Sequence, residues 1–463
     1  MKEDNVVGYE CRFAVHTPSK YNDGADLHFV KEIKHFKDGT TKPSIRLIEN
    51  YKRDFYITKK GFRNHKTKKE REEISKLTKY STTQSKLEHA VAHALEEPWK
   101  AGQRSGLKGL CQSPYVYGTD ILSTSLIKKS YADKWPGLVT PNTVAVYDIE
   151  TDVIRGTKEI IMATISFKDK VFTAIHKDHV KGHYGVEEKL DKLLTKYLSE
   201  YIVSRGVKWE VKIVETPADC VIQCIKKAHE WQPDFLAIWN IDFDIPTSVT
   251  ALQKVGIDPA TVFSDPIVPK KYQYFDYKQG SKQKVTASGK KSPIPPSQQW
   301  HTVFTPASFY IIDAMCVYRQ IRAGQAELPS YALDYVMNNH LDRGKLKFEE
   351  ADELSGIDWH VFMQETYPLE YVIYNVFDCI GMELLDEKIL DLQLSFPIMA
   401  EFSDFCNFKS QPRRLCDTVH FECLESGYVF ASTSDKMGDE LDLLTVSCKD
   451  WINCGTVKPL WSH

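Results

Sequence analysis

The chain reads as an α/β protein with an α+β domain ahead of the main unit. The segment order carries that expectation: short alternating segments fill the first 140 residues, and strand, strand, strand, helix, strand, helix follow. Composition agrees, with 42% hydrophobic and 27% charged residues in 463, a globular balance in a chain long enough for two or three domains. No run approaches eighteen uninterrupted apolar residues, and the opening Met-Lys-Glu-Asp-Asn lacks the apolar core of a secretory signal, so no membrane span and a cytoplasmic location are expected. The eleven cysteines are odd in number and scattered. Cys220 and Cys224, one helical turn apart, are expected to be reduced core thiols rather than ligands.

In the first part, Arg12-Phe-Ala-Val-His16 and Ser44-Ile-Arg-Leu-Ile48 alternate as strands do, and a charged helical stretch lies near residues 84–97. Pro136-Gly137 and Pro141 punctuate the chain before the strand Thr143-Val-Ala-Val-Tyr147, which places a domain boundary near residue 140. In residues 141–394, segments 159–166 and 170–176 read as further strands and 218–231 as a helix. Segment 235–239 reads as a buried strand, 309–313 as another, and Leu369 to about Gln393 as one long helix. Residues 395–463 lose this rhythm and form a third region.

The net charge of −3 hides an uneven distribution. Residues 52–79 interleave lysines and arginines, among them Arg53, with Phe55, Tyr56 and Phe62, a mix suited to phosphates and bases or to a solvated surface. Lys278, Lys282, Lys284, Lys290 and Lys291, followed by Pro293, Pro295 and Pro296, read as an exposed loop or hairpin.

Four acids fall in three short segments: Asp148 and Glu150 in Val146-Tyr-Asp-Ile-Glu150, Asp244 in Asn240-Ile-Asp-Phe-Asp244, and Asp378 in Tyr374-Asn-Val-Phe-Asp378. Asp148 and Glu150, two apart on a strand, share a face. Tyr374 and Asp378, four apart on a helix, project one turn apart. Each segment has an ordinary explanation: solvated acids at a strand end, Asp244 capping a helix from 245 to 254, a tyrosine beside an unrelated acid. Glu383 and Asp386 are expected on a solvated helix face, and His176, His301 and His340 are isolated. Taken jointly, the segments point to a metal-dependent nuclease. Two divalent ions about 3.5–4 Å apart clamp the attacking and leaving oxygens of a phosphodiester, and such hard cations want oxygen ligands.

The ordered patterns D-x-E, N-x-x-F-D and Y-x-x-x-D resemble the three exonuclease motifs of B-family DNA polymerases, of the tyrosine-bearing DEDD superfamily. Their setting is most similar to the polymerases of T-even-type phages. Trp239-Asn-Ile-Asp-Phe-Asp-Ile-Pro246 resembles the second motif with one residue fewer between Asn and Phe, and Phe309-Tyr-Ile-Ile-Asp313, Leu328-Pro-Ser-Tyr-Ala-Leu333 and Gly344-Lys-Leu346 resemble further counterparts over residues 140–430. The resemblance implies a ribonuclease-H-like domain with 3′→5′ proofreading activity. Asp148, Glu150, Asp244 and Asp378 would hold two Mg²⁺ or Mn²⁺ ions, while Tyr374 and the backbone near Ile149 place the water and the terminal nucleotide. Asn240, Phe243, Lys278, Lys282 and Lys284 would contact DNA, Tyr272 and Tyr274 would stack on a frayed end, and the basic hairpin would part primer from template.

The sequence contains no DxxSLYP-type polymerase segment, although Ser426-Gly-Tyr-Val-Phe-Ala431 resembles the lead-in to one. The expectation is therefore an N-terminal and exonuclease portion, engineered or encoded by a split gene. A separate chain would carry palm, fingers and thumb. By family likeness a sliding clamp and replisome proteins would be partners, in the cytoplasm of an infected host. Two alternatives stand beside it: a free-standing DEDD nuclease acting on RNA or other ends, and a non-catalytic subunit that binds template.

Overall fold

The computed structural model describes residues 5–96, 106–285 and 289–433. Alternating apolar residues build β1 (Val6–Pro18), β2 (Asp26–Phe36) and β3 (Thr41–Glu49), an antiparallel sheet in that order. There follow β4 (Arg53–Thr58), β5 (Arg71–Glu73), β6 (Leu77–Thr82), α1 (Leu87–Leu95), α2 (Gly106–Leu110), β7 (Val116–Tyr117) and α3 (Ser123–Lys134). β4 pairs with β6 on one side and β7 on the other. The basic, aromatic stretch 52–79 is only partly surface. Arg53 is 1% exposed and donates to the carbonyls of Gly118 and Ile121, and Phe55 packs in the core with Leu87 and Val91, so neither is available to nucleic acid. Phe62 remains exposed.

The second region holds a six-stranded mixed sheet built from β8 (Val144–Thr151), β9 (Ile160–Phe167), β10 (Lys170–His176), β11 (Lys208–Val214), β12 (Phe235–Ile238) and β17 (Tyr310–Asp313). Its order is β11-β10-β9-β8-β12-β17. β8, β9 and β10 run antiparallel, whereas β11, β12 and β17 each pair in parallel with a neighbour. Between the strands lie α4 (Val186–Arg205), α5 (Pro217–Trp231), α6 (Ile241–Lys254), α7 (Pro259–Phe263), β13 (Asp276–Lys278), β14 (Gln283–Val285), β15 (Lys291–Pro293), α8 (Pro296–Gln299) and β16 (Thr302–Phe304). Then come α9 (Ala314–Ile321), α10 (Leu333–Leu341), α11 (Gly356–Thr366) and α12 (Pro368–Ile389). α4 and the edge strand β11, with its alternating charged and apolar residues, lie outside the elements expected from sequence.

Alternation along β8 decides the site. Val144 and Val146 face the core that contains Val372, Val376 and Ile380 of α12, while Ala145, Tyr147 and Ile149 face the core that contains Val221 and Ile225 of α5. Asp148 and Glu150 therefore continue the α12 face. Each large apolar side chain buried in these layers contributes about 1.5–3 kcal/mol relative to exposure. Cys220 and Cys224 are core residues of α5.

Three expectations are corrected here. α6 begins at Ile241, so Asp244 sits inside its first turn rather than in a turn capping a helix at 245. The long helix stops at Ile389, where Leu390 adopts a left-handed conformation (φ 56°) before a π-turn at Asp391–Ser395. Glu383 and Asp386 are buried rather than solvated. α12 is apolar on nearly all sides and is enclosed, so its acids must find partners inside: Glu383 pairs with Arg205 at 2.9 Å, and Asp386 accepts the Leu392 N–H at 2.7 Å.

The third region comprises α13 (Phe396–Ala400), α14 (Gln411–Glu425) and β18 (Tyr428–Phe430). β18 pairs antiparallel with β5, which joins this stretch to the N-terminal region. Residues of the expected 395–463 region from 434 onward lie outside the described residues. Among the described residues no helix is long and apolar enough to cross a membrane.

Candidate metal centre

The site forms where the end of β8 meets the first turn of α6 and the middle of α12. Asp148, Glu150 and Asp378 each offer a carboxylate oxygen, and these atoms all lie within 4.8 Å of one another, so the trio can hold a metal ion. Asp244 lies outside that trio but lines the same cavity of about 530 Å³, as do Tyr374, Lys345, Asn240 and Phe243. Asp244 is 1% exposed, and its Oδ2 has no hydrogen-bond partner; Oδ1 of Asp378 is likewise buried and unpartnered. Acids in the first turn of a helix also meet the positive end of its dipole, which favours Asp242 and Asp244 where they are.

Crowding of like charges in a buried pocket disfavours ionisation. Burial, then the Asp378 charge, pushes Asp148 up to about 7 against the pull of Lys345 and Asn375. Burial, then Asp148, pushes Glu150 up to about 8. Burial also raises Asp378, and burial with Asp148 and Glu150 raises Asp244 well above the carboxylate range.

Several side chains orient the acids. Asn375 donates to Asp148 at 2.6 Å. Tyr371 donates to Glu150, and its own hydroxyl lies 2.7 Å from Nδ1 of His360. Burial, then Lys345, lowers His360 to about 4, so the imidazole is neutral. A neutral ring protonated on Nδ1 makes the chain His360 to Tyr371 to Glu150 consistent in direction. Tyr374 stacks on Tyr371, with centroids 5.8 Å apart and planes 9° apart.

Lys345 is the cation of the pocket. Its Nζ is ion-paired with Asp378 and lies 2.9 Å from the Tyr374 hydroxyl. The loop after α10 delivers it: the Lys345 N–H donates to Asp334 at 2.7 Å. At Gly344 a Cβ would lie 2.1 Å from Asp334 Oδ1 and 2.5 Å from Asn338 Nδ2, so a side chain there would displace the carboxylate that accepts the Lys345 N–H. Burial works against the ammonium, but Asp378, Tyr374 and Asp148 raise its pKa well above the ordinary lysine value.

Of the residues expected from sequence, Asp148, Glu150, Asp244, Tyr374 and Asp378 converge here, and Asn240 and Phe243 border the cavity. Asn240 is exposed. Its carbonyl accepts the N–H groups of Phe243 and Asp244 and starts α6, while its side chain makes no cap. Lys278, Lys282 and Lys284 are exposed on the hairpin arm rather than in the cavity wall, and Lys282 is engaged by Asp242 at 3.0 Å. Tyr272 is fully buried in the core and cannot stack on a base; Tyr274 is 38% exposed. His301 and His340 bond to Tyr277 and Tyr318. Sequence reasoning assigned no role to Lys345, Tyr371, Asn375 or His360. For Tyr371 and Asn375 a signal existed, since 371, 375 and 378 repeat at helical spacing on one face. A lone loop lysine and a lone histidine carry no comparable signal.

In comparisons with known proteins, no family model matches the chain and no curated protein sequence matches it.

Proposed function

We propose that the chain is a metal-dependent 3′→5′ exodeoxyribonuclease with a ribonuclease-H-like catalytic domain, the proofreading part of a B-family, phage-type DNA polymerase. The observation that carries this is the convergence of four acids from β8, α6 and α12 on one cavity, two of them with buried, unpartnered oxygens. Buried carboxylate oxygens are mostly partnered, but oxygens of Glu383 and Asp386 are unpartnered away from the cavity as well, so the weight lies on the convergence of the four acids. Carboxylates alone make up the donor set, which fits Mg²⁺ or Mn²⁺. Asp148, Glu150, Asp244 and Asp378 would hold two ions, which when bound supply a water of lowered pKa and stabilisation of the departing 3′ oxygen.

The remaining roles belong to side chains. Tyr374, fixed by Tyr371 beneath it and Lys345 beside it, presents a hydroxyl to orient the attacking water. Lys345 adds a positive charge where the phosphoryl group gains negative charge. Asn375 and Tyr371 hold Asp148 and Glu150 in place, as partners behind metal ligands do. Phe243, 37% exposed on the cavity rim, offers a face to a terminal base.

The test is cleavage of 5′-labelled single-stranded DNA and the matching RNA with Mn²⁺ or Mg²⁺. A ladder shortening from the 3′ end on DNA, lost in the Asp148→Ala, Glu150→Ala double variant, is expected. Preference for RNA would replace proofreading with a free-standing RNA nuclease. Cleavage that survives the double change would place the chemistry elsewhere, and binding of primer–template without any cleavage would favour a tethering subunit.

A further inference from the structure

Two residues ahead of Asp244, Asp242 holds the basic arm. The arm leaves through β13, turns through the β14–β15 hairpin and returns through α8 and β16. Asp242 Oδ1 accepts the Tyr277 hydroxyl at 2.9 Å and the Gln279 side-chain amide, and Oδ2 pairs with Lys282 Nζ at 3.0 Å. His301, on the returning limb, stacks on Tyr277 with planes 3° apart, and its Nδ1 lies 2.7 Å from the same hydroxyl. The limbs touch backbone to backbone at Gly280, where a Cβ would sit 2.1 Å from the Gln299 carbonyl oxygen. Pro296, also on the returning limb, lines the acid cavity.

One carboxylate on α6 therefore ties three arm residues to the helix that carries Asp244. The ties to Tyr277 and Gln279 are charge-assisted hydrogen bonds to a partly buried carboxylate, and Lys282, 57% exposed, adds a solvated ion pair. The paired tip strands, β14 and β15, are three residues each and hold little by themselves. Lys278 and Lys284 remain exposed on this arm.

We propose that Asp242 is a positioning residue that fixes the basic arm beside the acid cavity, so that the arm lysines meet the phosphates of a strand whose end is in the cavity. This inference rests on the nuclease function proposed above. Asp242 touches no reacting atom in this scheme; it sets how a long polyanion is held. A dinucleotide, too short to reach the arm, is indifferent to it.

Steady-state cleavage by the full chain with Mn²⁺ tests this, using a thymidine dinucleotide and a single-stranded oligonucleotide long enough to cover cavity and arm. Asp242→Asn is expected to raise KM for the oligonucleotide roughly tenfold, with kcat within about twofold, the scale of one or two lost phosphate contacts. Dinucleotide cleavage is expected to fall by less than about twofold, because only binding beyond the cavity is lost. Lys282→Met should reproduce the KM effect, and the double variant should show less than the product of the two, as coupled residues do. Equal losses on both substrates would mean that Asp242 merely supports Asp244, and unchanged KM on the oligonucleotide would also overturn the proposal. Wild-type protein that cleaves neither substrate would remove the nuclease function and this role with it; cleavage of both by wild type and Asp242→Asn alike would discard the role of Asp242 alone.

Discussion

Nζ of Lys345 stands 2.9 Å from the Tyr374 hydroxyl and is ion-paired with Asp378, which is 4% exposed. It neutralises part of a pocket otherwise built of acids, and so competes with any metal ion for Asp378. Lys345→Met should lower the stability of the metal-free protein by about 3 kcal/mol, the cost of stranding a buried charge. It should also enlarge the stabilisation by Mn²⁺, because the competing cation is gone. Melting temperatures of both proteins in EDTA and in Mn²⁺ check this; an equal Mn²⁺ shift in the two would contradict it.

The acid pair makes the metal-free fold sensitive to pH. Burial and the neighbouring carboxylates push Asp148 up to about 7 and Glu150 up to about 8 in the folded state, above their ordinary values of 3.8 and 4.5. Groups whose folded pKa is raised contribute stability that is complete below the unfolded value and is lost as pH rises through the folded one. Between about pH 4 and pH 8 the metal-free protein should therefore lose this contribution. In EDTA, the melting temperature of the Asp148→Asn, Glu150→Gln variant should exceed that of wild type by a margin that widens with pH over this window. A constant margin would show that burial and the neighbouring carboxylates do not raise these two groups in the folded state.

Asp244→Asn separates stability from function. It removes a carboxyl whose ionisation is opposed by burial, Asp148 and Glu150 and whose Oδ2 lacks a partner. The metal-free protein should therefore gain about 1 kcal/mol at alkaline pH, where the wild-type group is driven to ionise, and little near neutral pH. The same change should abolish cleavage and weaken the Mn²⁺-induced rise in melting temperature. Retained cleavage would exclude Asp244 from the metal centre.

Arg205→Met probes a buried pair remote from the reaction. Arg205 lies 2.9 Å from Glu383, which is 4% exposed and which burial pushes up to about 7 against that cation. Loss of the arginine should cost about 2–4 kcal/mol in chemical unfolding, and Arg205→Met with Glu383→Gln should recover much of it. Cleavage well below the melting temperature should persist. Undiminished stability in the single variant would mean that Glu383 is satisfied by the Lys168 N–H alone, which it accepts at 2.8 Å.

Much of the second region is legible along the chain because its signals are local. Strands 160–167 and 170–176 are dense in β-branched and apolar residues, and 217–231 carries its own start signal, Thr216 and Asp219 capping each other ahead of an amphipathic helix. The start of α6 was obscured by Pro246, which usually marks a first helical position; here it lies inside the helix. Glu383 and Asp386 look like solvent residues in any linear window, since nothing in neighbouring residues records that α4, α10 and the sheet close around α12.

By itself the sequence determined which side chains share a face: period two on β8 puts Asp148 and Glu150 on one side, and period 3.6 on α12 aligns Tyr374 with Asp378. Only the tertiary structure decided that these faces meet, that Asp244 joins them from α6, that a loop lysine is drawn in to balance the charge, and that Tyr272 is core. The reason is physical. Periodicity is a property of a few consecutive residues, whereas burial and charge balance belong to whichever elements pack together, however far apart they lie along the chain.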